Sequence, residues 1–364
     1  MAKRRPPRGQ DQLDLFSFDP DEPTTPTLPK PDTTIDVSGL AAAAAATPNP
    51  EPEPEPELEA TAILNSPRQQ RVRVASIPVR ELAERAAAAW HRNHAKDGIT
   101  VPMGIAAGLA LLRRTARDGT DVASFVLGLS KEDLVEFHRS IWSTLWLRQP
   151  YLVEVSRPIH DWLEALADDP DRKVIDAVYD MTHTLIRGGL FNLTGDDDPI
   201  GRCDVDVLGM LLMVLRSEGA RGALAEIHTP TEMADLMALM TIDLDVCKPG
   251  AWLTDPAAGT GGILRAAALA MRLKGGDPAE CGWHMAELDP IAAACSAVNA
   301  IVWGLGPNVL IFCGDTLVTG DTMTPAVEHR QAVLDHHHDV MSRFAAVQAI
   351  QRTRALLASI GASA

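Results

Sequence analysis

Trp252-Leu253-Thr254-Asp255-Pro256-Ala257-Ala258-Gly259-Thr260-Gly261-Gly262-Ile263-Leu264-Arg265 is the stretch on which the reading of this chain turns. A short apolar segment leads through a glycine-rich loop into residues with helical spacing. The order is strand, loop, helix. Glycine in such a loop lets the backbone approach a ligand with no Cβ in the way. The start of the helix adds unpaired N–H groups and a partial positive charge. A glycine-rich loop alone is more often only a tight turn, so its companions decide.

Working outward, strands are expected at Ala251–Thr254, Trp283–Glu287 and Val309–Cys313. The segments between them, Gly262–Lys274 and Pro290–Gly304, read as helices, and further helices are expected near Asp204–Ser217 and Thr231–Met240. Strands alternating with helices give an α/β fold with a parallel, doubly wound sheet. In such folds ligands lie at the carboxyl ends of the strands. The second strand ends in Ala286-Glu287-Leu288-Asp289-Pro290, with Glu287 placed to accept from ribose hydroxyls. The third ends in Cys313-Gly314-Asp315-Thr316-Leu317, with Asp315 placed to accept from an adenine amino group. Each acid alone reads best as a solvated loop carboxylate. Three strand-tip signals on successive units favour a nucleoside site.

Asp-Pro-Ala-x-Gly-Thr-Gly-Gly, then Glu-x-Asp-Pro, then Gly-Asp-Thr-Leu, resembles the adenine-specific DNA methyltransferases typified by the modification subunits of type I restriction systems. Upstream, His228-Thr229-Pro230-Thr231-Glu232 is similar to that family's Thr-Pro motif, and Asn299 and Gly304 to its helix after the second strand. The resemblance covers about residues 204–317. It implies a Rossmann-like methyltransferase fold and an S-adenosylmethionine pocket formed by Thr229, Pro230, Asp255, Pro256, Ala257, Gly259, Thr260, Gly261, Glu287 and Asp315. It also implies DNA as the partner. Ala258 stands where the family commonly has Cys, a small-for-small departure.

A larger departure is an absence. The family's catalytic signature is Asn-Pro-Pro followed by Tyr or Phe, which holds and stacks on a flipped base. No such tetrapeptide occurs, and the only Pro-Pro is Pro6-Pro7. Residues 318–364 are too short for the remaining strands and read from Pro325 onward as a helix, giving a truncated sheet. The expected function is therefore that of an S-adenosylmethionine-binding, adenine methyltransferase-like protein that does not methylate alone. A second chain would supply the missing half. The alternative is a non-enzymatic, clamp-tethered, DNA-associated interaction or regulatory module derived from a methyltransferase. A methyltransferase for a small molecule or protein fits the Thr-Pro and Gly-Asp-Thr-Leu motifs less well.

Residues 66–195 are expected to form an all-helical domain. Ser130-Lys131-Glu132-Asp133 is a helix start resembling a capping box, followed by Leu134, Phe137, His138, Ile141, Trp142 and Leu145 on one face. Further helices are expected at Val79–His94 and Ile159–Leu166, and Gly188-Gly189 should end another. His138 reads as a packed residue rather than a ligand.

Residues 1–65 hold 12 of the 26 prolines and an alternating Glu-Pro tract, Glu51–Glu57, the composition of a disordered tail with a stiff spacer. Within it, Gln12-Leu13-Asp14-Leu15-Phe16 matches the peptide pattern with which bacterial polymerases and repair proteins bind the replication sliding clamp. Gln12, Leu13, Leu15 and Phe16 are the expected contacts. The match is short, and a random amphipathic scrap is its bland reading.

The chain carries 49 acids against 33 bases, a formal net charge of -16. That balance excludes a protein gripping phosphates through bulk charge, so DNA contact needs a local patch or a partner. Five cysteines without a CxxC pair read as reduced thiols. The longest apolar run, near Val207–Leu215, is too short to span a bilayer, and a soluble cytoplasmic protein is expected. His336-His337-His338 reads as a surface run, because adjacent histidines on a helix point to different faces.

Overall fold

The computed structural model describes residues 34–36, 77–93, 98–216, 229–245 and 247–361. Four parallel strands lie in the order β1 (Thr34–Asp36), β2 (Trp252–Asp255), β3 (Gly282–Glu287) and β4 (Val309–Cys313). The last three match the expected strands to within a residue. Most of their positions are buried, which is why they read as largely apolar runs rather than alternating ones. β1 falls inside the segment expected to be disordered. Its Ile35 pairs with Leu253, and the rest of residues 1–65 lies outside the described residues.

Fifteen helices of four residues or more are described. The helical part holds α1 (Val79–Asn93), α2 (Thr100–Ala110), α3 (Val122–Leu127), α4 (Lys131–Trp146), α5 (Pro150–Val155), α6 (Trp162–Asp168), α7 (Arg172–Arg187), α8 (Leu190–Thr194) and α9 (Pro199–Arg202). The sheet part holds α10 (Val207–Leu215), α11 (Thr231–Thr241), α12 (Gly262–Leu273), α13 (Pro290–Val302), α14 (Thr316–Thr319) and α15 (Met323–Gly361). Helices α12 and α13 carry the chain between successive parallel strands, a Rossmann-like arrangement.

The expected starts hold. Ser130 caps α4, its Oγ accepting from the Asp133 N–H at 3.2 Å and donating to the Asp133 carboxylate at 2.8 Å. Gly188 ends α7, and Gly189 takes a φ of 93°. The helix expected at Ile159–Leu166 is split. A 3-10 turn covers Arg157–Ile159, and α6 begins only at Trp162.

Most buried apolar residues of both parts form one continuous cluster, from Leu82 and Trp90 through Met103, Leu134 and Leu212 to Trp283 and Trp303, while Trp252, Leu310 and Ala326 form a small second one. The helical part also seals the outer edge of β4. Tyr151 Oη accepts from the Ile311 N–H at 2.8 Å and donates to the Ile311 carbonyl at 3.1 Å. Burial pushes its hydroxyl pKa up to about 12, so the phenol keeps its proton and its donor. An unpaired strand edge invites pairing by another chain, and here one side chain satisfies both backbone groups of a residue at its centre. No helix among the described residues is long and apolar enough to cross a membrane.

Candidate cofactor site

The loop after β2 turns back under its own side chains. Buried Asp255 accepts from the Ala257 N–H at 3.1 Å, closing a tight turn immediately past the strand. Gly261 follows with a φ of 93°, where a Cβ would stand 3.1 Å from the Trp303 ring. Both the conformation and the space select glycine there. Residue Gly262 then opens α12.

Glu287, at the end of β3, lies directly behind this loop. One carboxylate oxygen accepts from the Gly259 N–H at 2.7 Å and the other from the Asp289 N–H at 2.9 Å. The acid thus fixes the glycine loop and the start of α13 together. Each oxygen retains a second lone pair for a ligand hydroxyl. Asp289 caps α13, accepting from the Ala292 N–H at 2.7 Å, and pairs with the buried Arg216 guanidinium.

A cavity of about 100 Å³ opens in front of the loop. Thr229, Ala257, Gly259 and Thr260 line it, facing Asp206, Met210 and Met213 of the α10 segment. Pro230 stands at the N-cap position of α11 beside it, Pro256 follows Asp255 in the loop, and Asp255, Gly261 and Glu287 shape the loop from behind. Asp315 does not line this cavity. It sits exposed at the end of β4 and caps α14, accepting from the Leu317 N–H at 2.9 Å and the Val318 N–H at 3.2 Å. The neighbouring strand ends are tied by the Gly314 N–H donating to the Glu287 carbonyl at 2.9 Å. Three large apolar side chains stand open at these tips, Leu288 at 58%, Leu317 at 95% and Val318 at 83% exposure.

Two residues of the site were not singled out by sequence. Asp206 is its hub. It caps α10 through the Gly209 N–H at 2.8 Å, accepts from Asn299 Nδ2 at 3.0 Å, and accepts the Thr260 hydroxyl proton on its other oxygen. Asn299 also donates to the Thr260 carbonyl at 2.9 Å. Three elements are thereby locked to one carboxylate. A Cβ at Gly209 would fall 2.4 Å from Asp206 Oδ2 and 2.6 Å from Thr260 Oγ1, so glycine is what lets the helix approach. The only signal in sequence was an Asp before an apolar run, which marks a cap and says nothing of the loop it reaches. The second is Arg265, 1% exposed, whose guanidinium donates to Asp235 at 2.6 Å and to the Cys203 carbonyl. It anchors α11, and hence the cavity wall at Thr229, to α12.

Residues 206–338 match the family model described as N-6 DNA Methylase. Over that stretch, the chain is similar to N-6 DNA methylases. The match opens on the hub residue Asp206 and runs past Leu317, where the resemblance of the motifs ends, into α15. Among solved structures, one similar chain is a type I restriction-modification system methyltransferase subunit from Streptococcus thermophilus. The identity is 16% and the TM-score 0.35, over 66% of this chain and 58% of that one. The methylase-like chain therefore spans less than two thirds of that subunit's length. No curated protein matches it.

Gln12, Leu13, Leu15 and Phe16 lie outside the described residues. In the histidine run, His337 packs edge-on against Trp146 at 4.6 Å, while His336 and His338 are exposed.

Proposed function

We propose that this methylase-like chain binds S-adenosylmethionine and serves in methylation of adenine in DNA, with a second chain completing the transfer. The observation that carries the reading is the shared cavity, where Thr229, Ala257, Gly259 and Thr260 converge at the start of α12, with Glu287 directly behind. The residues fit the cofactor. Gly259 leaves open space where a side chain would intrude. The cavity takes the amino-acid end, whose carboxylate meets the free N–H groups of α12. Asp206, which lines the cavity, places negative charge beside the cationic centres of the ligand. Glu287 accepts from the ribose hydroxyls. Leu288 and Leu317 offer apolar faces for the adenine, and Asp315 accepts from its amino group. Once bound, the cofactor supplies an electrophilic methyl group.

Completion by a second chain is motivated by one feature of the given sequence. The Asn-Pro-Pro-aromatic tetrapeptide is absent from the sequence. The same absence favours a second reading, a binding module that senses the cofactor without transferring its methyl group. In that reading Gln12, Leu13, Leu15 and Phe16 dock on the replication sliding clamp and bring an acidic protein to DNA through effective concentration.

Ligand saturation separates these ideas from a site with no cofactor. S-adenosylmethionine at a hundred times its Kd should stabilise the fold by about 2.7 kcal/mol, read as a rise in melting temperature. Incubated with labelled cofactor and unmethylated DNA, the chain alone should transfer nothing. Labelled adenine from the isolated chain overturns the need for a second one, and an unmoved melting temperature at millimolar ligand overturns the binding reading.

A further inference from the structure

α15 changes environment along its length of about 58 Å. Its first turns lie against the body. Ala326 is buried against Trp252 and Leu310, Arg330 donates to the Pro307 carbonyl at 2.7 Å, and His337 meets Trp146. From Ser342 to Arg352 every residue but Gln348 is exposed. Phe344, Val347 and Ile350 stand there at 57%, 51% and 55% exposure, and together with Val340 they fall within about a third of the helix circumference. A helix carrying such a stripe in water is stable only when something covers it.

The stripe and the charges on this helix point to one occupant. Phe344 and Ile350 flank Val347 at equal spacing, three residues on either side. A twofold axis through Val347 sets Phe344 of one copy against Ile350 of the next in an antiparallel pair. Such a pair is isologous, with the same patch used on both copies. The acids Asp335 and Asp339 precede the stripe, whereas the turns after it carry Arg352 and Arg354 and no acid. Antiparallel pairing lays the acidic turns of one helix along the basic turns of the other. Parallel pairing lays like charge on like.

We propose that the outer half of α15 pairs antiparallel with α15 of a second copy, making the chain a dimer. The inference stands apart from the cofactor reading and survives its failure. A patch of this size supports association at roughly micromolar strength rather than an obligate interface.

Sedimentation of the full chain tests it. The wild type should pass from monomer to dimer over a micromolar dilution series, and Val347→Asp should stay monomeric with unchanged helix content and melting temperature. The register is read by cross-linking in a Cys313→Ser background, since the other four cysteines are buried. Val347→Cys should form a disulfide-linked dimer, and Val340→Cys should link to Arg354→Cys in a mixture but not to itself. A wild type that stays monomeric at every concentration, or a dimer indifferent to Val347→Asp, overturns the proposal. Self-linking of Val340→Cys overturns the antiparallel arrangement.

Discussion

In the helical part, His138 is sealed in the core with one described partner, the Thr182 hydroxyl at 3.2 Å, and its Nδ1 has none. Burial holds its pKa down at about 4, so it folds neutral. In the sheet part, Asp206 gathers Gly209, Thr260 and Asn299, while Arg265 and Arg216 each pair with an aspartate. Apart from Arg202 at its boundary, the first part buries hydroxyls and histidines, whereas the second uses charged side chains to fix a loop. An uncharged core specifies a scaffold. A charged network that ties one loop from three sides holds that loop's backbone in place before any ligand arrives, at the cost of desolvating the charges.

The comparison breaks first at Asp206. Asp206→Ala strips a cap and leaves the Thr260 hydroxyl and an Asn299 proton without acceptors, so the folded state should lose about 3–4 kcal/mol. Urea denaturation measures it. A loss below about 1 kcal/mol would mean that the network is ornamental and the two parts are alike. Asp206→Asn keeps one acceptor and should fall between.

A second test lies in acid. His138 has a folded-state pKa below the ordinary 6.5, so protons bind more tightly to the unfolded chain. Its contribution is complete above pH 6.5 and drains away as pH falls toward 4. About 3 kcal/mol is at stake. Comparing the pH dependence of stability for wild type and His138→Gln isolates this histidine from the others. The variant should lack that part of the acid slope, and identical slopes would show that His138 is charged or reached by water. The smallest effect is expected at Ser130→Ala, which removes the α4 cap and should cost about 1 kcal/mol.

Much of this was legible in the chain because it is local. Strands β2, β3 and β4 are compact apolar runs closed by acids. The Ser130 and Asp289 caps sit in front of amphipathic or alanine-rich helices. Contacts between distant residues left no such mark. Tyr151 meets Ile311 across 160 positions, and Asp206 meets Asn299 across 93. Nothing in a tyrosine near a proline tells that its hydroxyl will end a sheet. Thr34-Ile35-Asp36 carries strand-forming residues, but the proline-rich composition around it outweighed three positions. Asp315 shows a further limit. A strand-tip acid before Thr-Leu can cap the next helix as well as meet a ligand, and the cap that Asp315 makes was not read from the sequence.

The central claim is that the loop held by Glu287 and Asp206 receives S-adenosylmethionine, and titration calorimetry tests it most directly. The account predicts one site per chain for the cofactor or its demethylated product. Glu287→Ala, which removes an acceptor for two ribose hydroxyls, should weaken it by about 1.5–3 kcal/mol. Folded protein that gives no binding heat at millimolar ligand, or a Glu287→Ala variant that binds as well as the wild type, would contradict it.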